Sequence, residues 1–374
     1  MRVEPRVMHL FATMERGGAE VRTLELLTAL GEQAKEHRIV TLARPGGALE
    51  SLFLGTGATT TFLPLRAPGF SIAMWRLSRR HEVVHCHLGP LSGIFLAIAW
   101  AARTPIRIAH FRSDGEDARP SRISGLRRHV LRFLVNVCAT DIIGVSPGAL
   151  EHGFSRSWAK DRRCRVIHSG LRLEEFRRPA KASLSEMLSL PQGSRALVLV
   201  GRDHPAKNRD LAIEIATELA TVSDLHLVFI GRNDEANLAK HRLRLARAGV
   251  GDRVHWLGER DDVPQLLQSA DALLSTSLRE GLPGAVIEAI AAGIPVIASE
   301  IPGSSYLSEH FPGSVTLVKP DATLATWASA ILSRTLGRPS QEDRARGLAQ
   351  VLNSEFSQAA AVRHFRSLWR SDRG

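Results

Sequence analysis

The 374-residue chain carries 49 Lys and Arg against 38 Asp and Glu, a formal net charge of +11, and 44% of its residues are hydrophobic. That length asks for two cores rather than one, the composition excludes a disordered or fibrous chain, and the positive charge points to phosphates, nucleic acid or an anionic membrane surface without choosing among them. Only Cys86, Cys138 and Cys164 are present, scattered and without a CxxC, so a disulfide framework and a structural zinc site are both excluded as expectations and a reducing cytoplasm fits.

Arg2, Glu4 and Arg6 stand where a signal peptide needs an unbroken apolar run, which predicts no secretion. The elements then begin at once. RVMHLF reads as a strand, residues 19–32 as a helix, and HRIVTL, TTTFLPL, EVVHCHL, IRIAHF and TDIIGVS as further strands with helical stretches between them. The longest apolar run, residues 91–102, falls short of the roughly twenty residues that cross a bilayer as a helix. Residues 170–191 are polar, Pro-punctuated and weakly periodic, and are expected to link two domains.

A second series follows: RALVLVG, a helix from about Asn208, LHLVFIG, a helix through Arg247, RVHWLG, ADALLSTS, a helix from about Gly284, and IPVIAS. Beyond Gly337 the chain turns helical again, and Ser357 can cap a last helix whose Val362, Phe365, Leu368 and Trp369 share one face. This α/β alternation predicts two doubly wound, Rossmann-like domains facing each other across a cleft, with a ligand at the carboxyl ends of the strands. The expected spans are 1–178 and 192–352, with 353–374 a C-terminal helix that packs back on the first domain. The first βα turn, Thr13 to Glu20, lacks the GxGxxG that seats a dinucleotide pyrophosphate, which disfavours a nicotinamide dehydrogenase.

The segment richest in chemistry is Glu280-Gly281-Leu282-Pro283-Gly284-Ala285-Val286-Ile287-Glu288. Its Gly and Pro residues turn the chain into a helix whose free N–H groups and positive dipole end favour a phosphate. Glu280 before the turn and Glu288 beyond it can each accept two hydrogen bonds from vicinal sugar hydroxyls. At Val200-Gly201-Arg202-Asp203-His204-Pro205-Ala206-Lys207-Asn208 a strand ends, Asn208 can cap the next helix, and Arg202 and Lys207 supply two cations suited to a diphosphate. Taken alone, each of these charges could equally be a solvated surface group.

Together the two segments resemble the E-x7-E and GR-x4-K motifs of the retaining GT-B glycosyltransferases of family four, and the resemblance runs on through Gly293-Ile294-Pro295-Val296. It implies a cytoplasmic enzyme that moves a sugar, a hexose by expectation, from a UDP- or GDP-linked donor to a glycan or lipid-linked acceptor in polysaccharide or glycolipid synthesis, keeping the anomeric configuration. By the resemblance, Glu288 binds the donor ribose, Glu280 approaches the transferred sugar, and Arg202 and Lys207 neutralise the leaving nucleoside diphosphate. Gly231, Arg232 and Asn233, and Leu257 in the run Leu257-Gly258-Glu259-Arg260, match the places where the family holds the base. Gly17 and Gly18 resemble the glycine pair that lets the backbone approach the donor phosphate and the acceptor. His110, in His110-Phe111-Arg112-Ser113-Asp114, follows a strand where relatives carry a histidine near the reacting sugar, and either His110 or Arg112 takes that place.

His85-Cys86-His87 could suggest a metal, since alternate strand residues share a face. No carboxylate cluster or third histidine is near in sequence, and there is no Asp-x-Asp, so neither a metal nor any other cofactor is expected. Arg119, Arg122, Arg127, Arg128 and Arg132, interleaved with Ile123, Leu126, Val130, Leu131, Phe133 and Leu134, form a basic tract. It could lie on the anionic inner face of a membrane as a peripheral contact, or pack as an ordinary amphipathic helix on its own sheet. A nucleic-acid partner is not expected, because a chain with one Tyr lacks the aromatic platforms that single strands stack on. The rivals are a nucleotide-sugar epimerase on the same fold and a catalytically silent nucleotide-sugar-binding module.

Overall fold

A computed structural model describes residues 4–113, 122–178 and 183–370, with the backbone alone for 122–124. Asp114 and Arg119 lie outside the described residues, as do the side chains of Arg122 and Ile123. The chain divides into two units, residues 1–171 with 355–374, and residues 172–354.

Unit 1 contains β1 (Val7–Phe11), α1 (Gly18–Leu30), β2 (His37–Thr41), α2 (Glu50–Gly55), β3 (Thr59–Phe62), α3 (Phe70–Ser78) and β4 (Val83–Cys86). It continues with α4 (Ser92–Ala101), β5 (Ile106–Phe111), α5 (Arg122–Cys138), β6 (Asp141–Gly144), α6 (Pro147–Gly153) and β7 (Cys164–Val166). The strands form one parallel sheet in the order β3-β2-β1-β4-β5-β6-β7. A parallel sheet is covered on both faces, which is why β1, β4 and β6 are buried along their whole length and read as continuous apolar runs broken only by histidine or aspartate.

Unit 2 contains α7 (Leu184–Met187), β8 (Arg195–Val200), α8 (Arg209–Leu219), β9 (Leu225–Ile230), α9 (Glu235–Arg247), β10 (Val254–Trp256), α10 (Val263–Gln268) and β11 (Ala272–Ser275). Then come α11 (Gly284–Ala291), β12 (Val296–Ser299), α12 (Pro302–His310), β13 (Val315–Val318), α13 (Leu324–Arg334) and α14 (Gln341–Leu352). Its sheet is also parallel, in the order β10-β9-β8-β11-β12-β13. Two Rossmann-like α/β units are therefore what the sequence builds, as its alternation predicts. β7 and β13 went unread, because strands of three or four residues leave little periodicity, and so did the helices α12 and α13.

The last helix, α15 (Gln358–Arg370), belongs to unit 1. Ser357 caps it by accepting the Ala360 N–H at 3.3 Å. Its Ala361, Phe365, Leu368 and Trp369 are buried in the same cluster as Val7, Leu27, Ile39 and Val83, with Val362 packed against the edge. In both sheets the order reverses direction beside the first strand, between β1 and β4 and between β8 and β11. Such a switch point opens a crevice outside the carboxyl ends of the strands.

Candidate functional site

In unit 2 the turns after β8, β9 and β10 are laced together beyond the sheet. The Gly231 N–H donates to the Gly258 carbonyl at 2.7 Å and the Asp203 N–H to the Arg232 carbonyl at 2.7 Å. This contact needs glycine: Gly231 has φ 133°, and a Cβ there would stand 2.6 Å from the Gly201 carbonyl. Beneath these turns lies Arg209, 3% exposed, at the first position of α8. It donates to the Gly201 carbonyl at 2.6 Å and to Asn233 Oδ1 at 2.7 Å, with its guanidinium 4.9 Å from the Phe229 ring centre. Burial lowers its pKa, with Asp203 opposing the shift. Arg209 escaped the sequence reading, and Asn233, expected at the base, has its side-chain oxygen on Arg209.

Past β8 the chain makes a single tight turn at Pro205–Lys207 and enters α8 through Asn208. Asn208 holds the cap position but forms no side-chain capping bond, contrary to expectation. Its backbone is left-handed, φ 48° and ψ 54°, a conformation that Asn tolerates and that swings the chain from turn to helix. The Lys207 side chain then runs back across Gly201, where a Cβ would be 2.9 Å from Lys207 Cε.

Lys207 Nζ ends 2.6 Å from Glu280 Oε1, the two side chains being 22% and 17% exposed. The same carboxylate oxygen accepts the Ser277 hydroxyl at 2.7 Å. The end of β11 is tied to the same turn, since Thr276 Oγ1 donates to the Lys207 and Asn208 carbonyls, each at 3.0 Å, and the Leu278 N–H to the Ala206 carbonyl at 2.8 Å. Lys207 and Glu280, 73 positions apart, thus meet, and Ser277 and Thr276 join them. An ammonium has three N–H donors, so the pair fixes Lys207 while leaving it donors for an anion.

Gly281, Leu282 and Pro283 lead from Glu280 into α11, where Gly284 is the first residue and no side chain caps the helix. Its first N–H groups therefore have no intrahelical acceptor. Glu288 lies one turn in, half-buried. Arg202 and Arg232 are exposed, and among the described residues neither guanidinium has a hydrogen-bond or ion-pair partner. Leu257 follows β10 and its N–H continues the ladder to the Phe229 carbonyl at 2.9 Å.

Unit 1 presents the opposite electrostatics. Gly17 caps α1 without a side-chain bond, and a Cβ on Gly18 would meet no atom within 4 Å. His110, at the end of β5, is fully buried. It does not stand alone: His9 from β1, His37 from β2, and His85 and His87 at the end of β4 are buried around it. His9 bridges His87 and His37 through contacts of 3.0 Å each, and His85 Nε2 lies 3.0 Å from His110 Nδ1. Arg112 donates to His87 Nδ1 at 3.2 Å, to Ser169 Oγ at 3.2 Å and to Thr23 Oγ1 at 3.3 Å. Burial holds the Arg112 pKa down to about 10 and the His37 pKa to about 3, and with neighbouring charges it keeps His9, His85, His87 and His110 well below the usual histidine range. Arg112 thus holds the cluster through one bond from each of its three nitrogens, while His110 Nε2 is buried with no partner among the described residues.

The third histidine that sequence proximity did not supply is His9. Nitrogens of His9, His85 and His87 lie within 4.8 Å of one another, a spacing a metal could use. All six of their ring nitrogens, however, are already engaged, with Trp369 Nε1 donating to His85 Nδ1 at 3.3 Å and completing the set.

Comparison with known proteins bears on both units. A family model described as glycosyl transferases group 1 matches residues 181–355, and one described as glycosyltransferase family 4 matches residues 16–175. A capsular polysaccharide biosynthesis glycosyltransferase of Staphylococcus aureus, CapH, is 26% identical over 87% of this chain and 89% of its own. The chain is a glycosyltransferase. A second relative, the UDP-Gal:α-D-GlcNAc-diphosphoundecaprenol α-1,3-galactosyltransferase of Escherichia coli, is 27% identical over 64% of this chain and 63% of its own. The crystal structure of HepE from Anabaena in complex with UDP, 16% identical, superposes with a TM-score of 0.79 over 98% of this chain and 100% of HepE, which places the glycosyltransferase in the GT-B fold. Neither the epimerase nor the silent-module reading is favoured beside these relatives.

One surface of the glycosyltransferase stands out. On α5 the inner face buries Leu131, Val135 and Cys138, while Leu126, Val130, Phe133 and Val137, at helical spacing, are 50–70% exposed. The helix is therefore packed on its own unit and still presents an apolar stripe outward, beside Arg127 and Arg128. Neighbouring α3 and α4 add exposed Ile72, Ile94 and Trp100. Among the described residues no helix is long and apolar enough to cross a membrane.

Proposed function

We propose that this glycosyltransferase moves a hexose from a UDP-linked donor to a lipid-linked glycan acceptor in polysaccharide synthesis, with retention of configuration and without a metal ion. The observation that carries the donor half is the Lys207–Glu280 pair beside the uncapped start of α11, with two unpartnered guanidiniums, Arg202 and Arg232, on the same set of turns. Fixed cations and helix amides lower a barrier when they face charge that develops in the transition state, here on the departing diphosphate. They also supply the positive charge for which other enzymes recruit a divalent cation. Glu288 takes the ribose hydroxyls, and Glu280, oriented by Lys207 and Ser277, takes the transferred sugar. Gly281, Leu282, Pro283 and Gly284 shape the phosphate turn, Gly231, Arg232, Asn233 and Leu257 serve the base, and in unit 1 Gly17, Gly18 and His110 serve the substrates. With no protein nucleophile assigned, the leaving phosphate accepts the acceptor proton on the face it departs from.

A uridine donor is favoured because HepE has been crystallised with UDP-glucose and the Escherichia coli relative is named for UDP-Gal. A lipid-linked acceptor is favoured by that relative's diphosphoundecaprenol substrate and by the exposed apolar stripe of α5, which suits a peripheral contact with an anionic membrane. The test is a thermal-shift screen of nucleotide sugars, in which a donor at a hundred times its Kd stabilises by about 2.7 kcal/mol, followed by NMR of the anomeric proton of the product made on a polyprenyl-diphosphate-linked sugar. Stabilisation by UDP-sugars and an anomeric configuration matching the donor are expected. No response to any nucleotide sugar sinks the donor assignment, and an inverted product sinks the retaining mechanism alone.

A further inference from the structure

The unpartnered nitrogen of His110 is the end of a hydrogen-bonded relay that starts on the C-terminal helix. Trp369, on α15, has an indole N–H that can only donate, and it lies 3.3 Å from His85 Nδ1. His85 Nδ1 must therefore be the unprotonated nitrogen, and a neutral His85 carries its proton on Nε2. That proton faces His110 Nδ1 at 3.0 Å, so His110 Nδ1 is also an acceptor and its own proton sits on Nε2. His110 Nε2 is buried and has no partner among the described residues. Both histidines are kept neutral chiefly by burial, which makes the tautomer, rather than the charge, the open variable.

A second relay in the same cluster obeys the same logic independently. Arg112, donor-only like Trp369, contacts His87 Nδ1 at 3.2 Å, His87 Nε2 faces His9 Nδ1 at 3.0 Å, and His9 Nε2 faces His37 Nδ1 at 3.0 Å. Two donor-only side chains thus force one orientation on all five rings, and no ring in either chain is asked to accept twice or donate twice. Packing holds the geometry: Trp369 stacks on Phe365 at 5.6 Å and meets the His9 and His37 rings edge-on, and Phe365 itself lies 5.8 Å from the His85 ring and 6.0 Å from that of His110.

We propose that Trp369 is a positioning residue for sugar transfer: acting through His85, it locks His110 in the Nε2–H tautomer, so that His110 offers the substrate a hydrogen-bond donor and never a basic lone pair. The proposal rests on the glycosyltransfer reading only for what His110 meets, an acceptor oxygen of a sugar or phosphate. The tautomer follows from the cluster alone. A buried orphan donor is costly, and an oxygen placed there would recover that cost on binding. His110 is accordingly a neutral donor and not the general base of the reaction.

The test uses the full chain labelled with ¹⁵N-histidine, the His110 signals being assigned by their loss in His110→Gln. Long-range ¹⁵N–¹H correlation should show His110 protonated at Nε2 in the wild type near neutral pH, and a proton on Nδ1 overturns the proposal without any variant having to fold. Trp369→Phe keeps the ring and removes the N–H. It should turn His110 into a mixture of tautomers and lower kcat about tenfold, with KM for the nucleotide sugar unchanged, since loss of the productive tautomer impairs the chemical step. An unchanged His110 tautomer in Trp369→Phe overturns the role of Trp369. If no nucleotide sugar is turned over at all, the glycosyltransfer reading fails and the two tautomer measurements still decide the relay.

Discussion

The two Rossmann-like units treat the polar residues of their parallel sheets in opposite ways. Unit 2 keeps charge at the carboxyl ends of its strands and leaves it reachable: Lys207 and Glu280 pair at about one-fifth exposure, and Arg202 and Arg232 stand without partners among the described residues. Unit 1 buries five neutral histidines, from His37 at the start of β2 to His87 just past β4, and ties Arg112 beside them into three hydrogen bonds. The same topology can thus offer either a field for an anion or an uncharged, tautomer-fixed surface. In unit 2 the turns after β8 and β9 are glycine-laced, whereas in unit 1 α15 lays Phe365 and Trp369 against the histidines of β1, β2 and β4.

Acid should separate the units most strongly. The five buried histidines have depressed pKa values, about 3 for His37 and well below the usual range for His9, His85, His87 and His110. As pH falls below the unfolded value of about 6.5, the unfolded chain takes up protons that the folded unit refuses. Their stabilisation is therefore full above pH ~6.5 and is withdrawn at about 1.4 kcal/mol per pH unit for each histidine, down towards its folded pKa. With five such histidines in one unit, unit 1 loses stability more steeply than unit 2 as pH falls. Hydrogen exchange between pH 7 and 5 should show β1 and α15 losing protection well before β8 and α8; parallel loss in both units would contradict the contrast.

At the unit 2 site, Lys207→Met keeps the stem and removes the ammonium. Turnover per KM should fall by roughly 10²–10³-fold, the usual loss for one group stabilising a departing oxyanion, while thermal unfolding changes little. Glu288→Ala should cost less, roughly 10- to 100-fold in donor affinity, the value of a hydrogen bond to a charged group at 1.5–3 kcal/mol; an unchanged Kd for the nucleotide would remove Glu288 from the ribose.

These residues were legible because their signal is local. Arg202 and Lys207 lie on one turn, and Glu280 and Glu288 bracket another, so a phosphate flanked by carboxylates could be raised from the sequence, although only the resemblance to the E-x7-E and GR-x4-K motifs decided it over solvated surface charges. What could not be read is what the sheets bring together. Lys207 meets Glu280 across 73 positions, and Trp369 meets His85 across 284. Arg209 carries no such local signal, since only the folded turns show it bonded to the Gly201 carbonyl and Asn233 Oδ1. A clue to the histidine cluster was nevertheless present: RVMHLF, HRIVTL, EVVHCHL and IRIAHF each carry a histidine in a run otherwise apolar enough to be buried, and parallel pairing sets His9 directly beside His85.

The outer surface of unit 1 should affect membrane binding and not the donor site. Arg127→Glu with Arg128→Glu should weaken cosedimentation with anionic vesicles by about 2 kcal/mol or more, roughly thirtyfold, given about 1 kcal/mol per arginine at such a surface. Added salt should weaken the wild type in the same direction. Donor affinity, carried by unit 2, should not move. Equal binding of the wild type to neutral and anionic vesicles would leave the α5 stripe without its membrane.

The central claim is that the charged turns of unit 2 hold the donor's diphosphate by themselves, and isothermal titration calorimetry of UDP-glucose in the presence of chelator tests it most directly. The account predicts saturable binding by the wild type with no divalent cation added, and binding weakened at least tenfold in Lys207→Met with the fold intact. Binding that appears only when a divalent cation is supplied, or an affinity unchanged by loss of the Lys207 ammonium, would contradict it.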